Sequence, residues 1–193
     1  MAQKERNLKT ELVRLGAQQI EKEGWQSLSL RKLTAQCQVS HAASYRHFEN
    51  KNALLNALIP VISDHFAAYL KSGKQGDQTP REELVHLGYQ FIGYCQDYPH
   101  LFDFLFFSPY ALTTQFDEAG HLQLEMDVAS FRYNREVIQR FIDSLNGHYD
   151  FNLAFMHLWS FILGISTLIR QGIYSSQTAG LSHIIETTFA FYQ

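Results

Sequence analysis

The chain has 193 residues, a formal net charge of −3, 46% hydrophobic and 18% charged residues, a balance that builds a packed core and excludes a disordered chain. Its two cysteines, Cys37 and Cys95, are far apart and form no CxxC pair, which excludes a disulfide framework or a cysteine zinc site and suits a reducing cytoplasm. The charged start MAQKERNLKTE lacks the apolar stretch of a signal peptide. The mild net charge hides an asymmetry: residues 1–57 carry a net +4 and the remainder −7. A basic head on an acidic body suits a polyanion bound at one end.

Apolar spacing is helical almost throughout. Leu8, Leu12, Leu15 and Ile20 mark a first helix that stops at Gly24. Ser29 caps a short second helix with Leu30, Leu33 and Cys37 inward, and Gln38-Val39 forms a tight connection. Ser40 caps a very short third helix running to about His47. Asn50 caps a fourth, with Leu54, Leu55 and Leu58 inward, which Pro60 is expected to kink or break. After a loop at 72–77, Thr79-Pro80-Arg81-Glu82 is a capping box opening a fifth helix. Pro99 opens a short aromatic helix ending at Phe107. Residues 109–120 read as a loop, and Leu124 to Leu145 as a long helix whose front, Leu122 to Val128, also alternates like a strand. A helix apolar all round, from about Phe151 to Gly172, is expected to be a core helix rather than a membrane span, since Asn152, His157 and Ser160 interrupt it. Leu181, Ile184, Ile185, Thr188 and Tyr192 give an amphipathic last helix. No segment makes a convincing strand ladder, so the expected fold is all-α with about nine helices, divided into a head at 1–58 and a helical bundle at 59–193.

Three short helices with a tight turn between the second and third are a helix-turn-helix candidate. Helix starts normally favour acids, because the macrodipole is positive there. The second helix instead opens Ser29-Leu30-Arg31-Lys32, and the fourth opens Asn50-Lys51. Cations at those positions fit phosphates seated at both helix starts. In the third helix His41, Ala42, Ala43 and Ser44 are small or polar and let the backbone approach a groove. Tyr45, Arg46 and His47 offer donors to phosphates or base edges, while Phe48 faces inward.

From Gly24 to Leu58 the chain resembles the DNA-binding domain of the TetR family of transcriptional regulators. The matching residues are Gly24, Leu28-Ser29-Leu30, Leu33-Thr34, Val39-Ser40, Ala42 to Phe48, Lys51 and Leu54-Leu55, with Tyr45, Phe48 and Lys51 as the strongest signature. Gln38 and Cys37 stand where the family often has Gly and Ala. The resemblance implies that Ser29, Tyr45, His47 and Lys51 position the head on phosphates and that His41, Ala42, Ala43 and Arg46 specify bases. Trp159 followed by Gly164 resembles the family's Trp-His-Gly C-terminal type, with Leu163 in place of the histidine.

The aromatic bundle is either a plain core or a core with a ligand cavity. Phe91, Tyr94, Cys95, Phe104, Phe107, Phe131, Phe155 and Trp159 are the candidate pocket residues, for a small apolar or aromatic inducer. A homodimer is expected through the last two helices, at Gly164, Gly180, Leu181, Ile185 and Phe189, placing two heads on a palindrome about 34–36 Å apart. Pro60 is the candidate coupling point between inducer and head. The remaining histidines show no HxxxH or HExxH spacing, so neither metal, cofactor nor catalytic site is expected. Two other readings stay open: a DNA-binding regulator governed by a protein partner, and an all-α carrier or enzyme.

Overall fold

The computed structural model describes residues 2–74, 76–118, 121–175 and 180–192. Of the expected loops, Gln75 and residues 119–120 lie outside the described residues. Nine α-helices, two short 3-10 turns and one two-stranded hairpin are present among those described. The chain is therefore all-α, and it divides into two compact units.

The first unit comprises residues 1–65 and 98–112. Its helices are α1 (Ala2–Glu23), α2 (Leu30–Gln36), α3 (His41–Ser44), the front of α4 (Lys51–Lys71) and α6 (Pro99–Phe107). Leu12, Ile20, Leu33, Phe48, Leu54, Leu55 and Leu58 are buried here, each worth about 1.5–3 kcal/mol when fully removed from water. Gly16 allows α1 to approach α4, since a Cβ there would sit 3.2 Å from a Leu58 methyl. The unit reaches beyond a simple cut at residue 58 because α6 packs on α1.

The second unit comprises residues 66–97 and 113–193. It holds α5 (Pro80–Asp97), α7 (Ala129–Asp143), α8 (Phe151–Arg170), α9 (Gly180–Thr188) and a closing 3-10 turn at Phe189–Tyr192. The capping box forms as spaced: the Thr79 N–H donates to Glu82 Oε2 at 2.8 Å, and the Glu82 N–H donates to Thr79 Oγ1 at 3.3 Å. Leu84, Leu87, Phe91, Tyr94 and Cys95 are buried along α5. Edge-to-face rings hold the bundle, among them Phe66 on Phe91 at 5.4 Å and Phe141 on Phe189 at 5.4 Å.

Three local expectations change. Of the kink or break expected at Pro60, the break is absent: α4 continues through it, with Leu54, Leu55, Leu58, Ile62, Phe66 and Leu70 buried along it. Within 109–120, Thr114–Phe116 is a strand, β1, paired antiparallel with β2 (Leu122–Leu124). Helix α7 consequently starts at Ala129. The hairpin is pinned by tertiary contacts: the Leu122 N–H donates to Asn152 Oδ1 at 3.1 Å, and Arg135 Nη1 donates to the Leu122 carbonyl at 3.2 Å. Finally, α8 is buried on one side only. Leu153, His157, Ser160, Gly164 and Leu168 form an exposed stripe at helical spacing. Both α4 and α8 are long and apolar enough to cross a membrane, and each instead buries a face against other helices.

Candidate nucleic-acid interface

The head is built on its turns. Gly24 ends α1 at φ +81°, a region L-residues avoid, and leads into the 3-10 turn Trp25–Ser27. That turn is stitched back by Gln19 Nε2 to the Ser27 carbonyl at 3.1 Å and by Ser27 Oγ to the Gly24 carbonyl at 2.7 Å. Helix α2 opens with Ser29 Oγ accepting from the Lys32 N–H at 3.4 Å.

Helix α2 closes in a Schellman arrangement. The Gln38 N–H donates to the Ala35 carbonyl at 3.1 Å and the Val39 N–H to the Thr34 carbonyl at 3.1 Å. Gln38 itself takes φ +55°, the left-handed position where glycine is usual. The helix-turn-helix turn thus keeps its geometry with a glutamine in the glycine's place.

Helix α3 spans only His41–Ser44, because the chain turns at 45–47 to bring Phe48 into the core. Ser40 stands at its N-terminus with no side-chain cap bond, and the cap is carried by backbone, the Ala43 N–H donating to the Ser40 carbonyl at 2.9 Å. Ser44 is fully buried and Phe48 nearly so, and the Lys9 ammonium lies 5.9 Å from the Phe48 ring centroid. With that side held, His41, Ala42, Tyr45 and Arg46 share one exposed face. Tyr45 and His41 form a unit on it, rings edge-to-face at 5.0 Å and the hydroxyl 3.3 Å from His41 Nε2. Ala43 and His47 are half-buried, and His47 Nε2 is enclosed with no hydrogen-bond partner, so His47 stands apart from that face.

The expected phosphate seats are partly engaged within the chain. Neither α2, α3 nor α4 has an acid in its first turn. Arg31 is exposed and Ser29 half-buried, while Lys32 pairs with Glu23 at 3.4 Å. Lys51 Nζ donates to the Gln26 carbonyl at 2.8 Å, and burial pushes its ammonium below the ordinary lysine range. One lysine therefore fastens the 3-10 turn to α4 and keeps two further donors for an anion. Gln26 was invisible to sequence reasoning because it contributes only a carbonyl. Asn50 Oδ1 accepts from the Ala53 N–H at 2.9 Å, the expected cap, and Asn52 Oδ1 accepts from the Tyr110 hydroxyl at 2.7 Å.

Residues 12–58 match the model of the bacterial regulatory proteins of the tetR family. Over the whole chain the fold matches TetR from Acinetobacter baumannii AYE, solved in complex with minocycline. That match has a TM-score of 0.57 at 18% identity and covers 94% of this chain and 96% of that one. Residues 12–58 thus form a head of the tetR type. A protein of unknown function from Rhodococcus sp. RHA1 shares the fold at TM-score 0.70 and 23% identity, covering 96% of this chain and 93% of that one. In sequence, the chain is 31% identical over 105 residues to the nucleoid occlusion factor SlmA of Sodalis glossinidius. The match takes in 52% of this chain and 53% of the relative, so it spans about half the length of the curated relatives.

The residues expected in a TetR ligand pocket separate. Phe91 and Trp159 line one apolar pocket of the second unit. Tyr94, Cys95 and Phe155 are buried in the core of that unit. Phe104 is buried in the first unit and Phe107, on the same helix, is 49% exposed. Phe131 is half-buried beside Arg135, whose guanidinium lies 5.8 Å from its ring centroid. Of the residues expected at a dimer interface, Gly164 is exposed and Gly180 half-buried. Leu181, Ile185 and Phe189 are buried inside the unit and stand behind its surface.

Proposed function

We propose that the chain is a one-component regulator that binds a palindromic operator as a homodimer and represses transcription in the cytoplasm until a small apolar molecule releases it. The observation that carries this reading is the exposed α3 face of His41, Ala42, Tyr45 and Arg46, braced from behind by Ser44 and Phe48. Ala42 lets the backbone approach a major groove, and a histidine, a tyrosine and an arginine supply donors at its edges and phosphates. Arg31 and Lys51 add cations in the first turns of α2 and α4, neither of which holds an acid.

Dimerisation is supported by the exposed stripe of α8. Leu153 is 72% and Leu168 41% exposed, and no side chain at Gly164 obstructs close helix approach between them. Control by a small molecule is supported by the apolar pocket of the second unit and by the fold shared with the minocycline complex.

Selection of bound duplexes from a random DNA pool tests the reading. The expected product is a palindrome with half-site centres one helical turn, or a whole number of turns, apart. Enrichment of no motif would contradict it.

A further inference from the structure

Between α5, α7, α8 and α9 lies a pocket of about 40 Å³. Leu84, Leu87, Phe91, Ile138, Trp159 and Ile162 supply much of its wall, and no charged residue lines it. Besides the Trp159 indole, the polar side chains there are Asn134 and Thr188. Each is already engaged with its own helix: Asn134 Nδ2 donates to the Ser130 carbonyl at 2.7 Å, and Thr188 Oγ1 to the Ile184 carbonyl at 3.0 Å. A carboxylate would shed its hydration here and meet no cation. A wall this apolar favours an apolar guest.

The rings sharpen the choice. Phe91 and Trp159 meet edge-to-face at 5.6 Å and 83°, and Trp159 stacks on Phe155 at 5.8 Å and 13°. A further ring fits such a wall through the same edge-to-face geometry. Space on α5 comes from Gly88, where an added Cβ would meet only Ile162 Cδ1, at 3.7 Å. The resting void is smaller than a ring needs, since an apolar cavity of about 150 Å³ accepts benzene. A wall must yield; Trp159 and Phe161 are its half-exposed aromatics, and Trp159 is the one set edge-to-face against Phe91.

We infer that this pocket takes an uncharged hydrocarbon with a single aromatic ring, admitted by outward rotation of the Trp159 indole. The inference rests on the reading of the chain as a ligand-released regulator and names the class of ligand.

The test uses the full chain and two probes of the same ring, benzene and benzoate. Trp159 is one of two tryptophans, so a Trp25→Phe background isolates its emission. Benzene is expected to change that emission saturably. At roughly tenfold its Kd it should raise the melting midpoint of the unsubstituted protein by about 3–6 °C. Benzoate at the same concentration should do neither. Gly88→Ala, whose methyl enters the pocket in ordinary contact with Ile162, should weaken benzene several-fold while the unliganded protein melts no lower. Equal binding of benzoate, or saturating benzene with no response, would overturn the inference. Operator binding measured on the same ligand-free protein separates the two failures. Intact operator binding without a benzene response contradicts the ligand class alone, and absent operator binding contradicts the regulator reading itself.

Discussion

Gln38 shows how a single residue sets the head. The turn between α2 and α3 requires a left-handed backbone at this position, and two Schellman hydrogen bonds hold it there. For an L-residue that conformation costs about 1–2 kcal/mol, which glycine avoids at an entropic cost of about 0.5–1 kcal/mol. Gln38→Gly is therefore expected to raise stability by up to about 1 kcal/mol, and Gln38→Val to lower it, read as opposite shifts of the urea midpoint. A lower midpoint for the glycine variant would contradict the strain. The head was legible at this scale because its determinants are local: Ser29 and Asn50 cap, Gly24 stops a helix, and Phe48 turns inward. What stayed hidden was set by partners distant in sequence. Nothing near Lys51 announces that its ammonium rests on the Gln26 carbonyl, and nothing near His47 announces that its ring is half enclosed.

Between elements, the firmest polar joint is that of α5 with α7. Glu83 is buried at 5% exposure, and Arg140 grips it with two bonds, at 2.9 and 3.0 Å, while Lys74 reaches it at 2.7 Å. Burial pushes the Glu83 carboxyl up, but the hydrogen bonds from Arg140 and Lys74 outweigh it, and the net position lies below the ordinary glutamate range. The carboxylate is thus favoured in the folded state. Its contribution is fully present above the unfolded glutamate value and is lost as pH falls through the lowered folded value. Glu83→Gln should cost about 1–2 kcal/mol near neutrality, less than a fully enclosed pair because Arg140 and Lys74 are half in solvent. It should also flatten the acid side of the stability profile. An unchanged acid limb would contradict this account. Elements with strong apolar periodicity were legible in the sequence, as α5 and α8 show. The hairpin was half legible. Leu122 to Leu124 alternates, but Thr114–Phe116 is exposed at every position and carries no burial pattern, and the hairpin is fixed by Asn152 and Arg135 from helices later in the chain. The pocket was legible only in part, for a related reason: Phe91 and Trp159 stand in its wall. Large aromatics marked the core correctly, but the space lies where Gly88 omits a side chain and where aliphatic residues such as Leu84 and Ile162 form the wall.

For the whole molecule, self-association is the property on which palindrome recognition depends. Leu153→Glu and Leu168→Glu lie on the exposed stripe of α8. Together they should leave the melting of the monomer intact, convert the protein to a monomer in sedimentation, and reduce operator affinity. A dimer that persists would place the interface elsewhere. The asymmetry of charge, +4 on residues 1–57 and −7 on the rest, predicts that DNA meets the head alone and that affinity falls steeply with salt. The most direct measurement is the affinity of the full chain for its selected palindrome against a shuffled duplex of equal length, titrated at physiological salt. A sequence-reading α3 face predicts a preference of about a thousandfold or more for the palindrome, lost when Arg46 and Tyr45 are replaced by alanine. Equal affinity for the two duplexes would contradict the account.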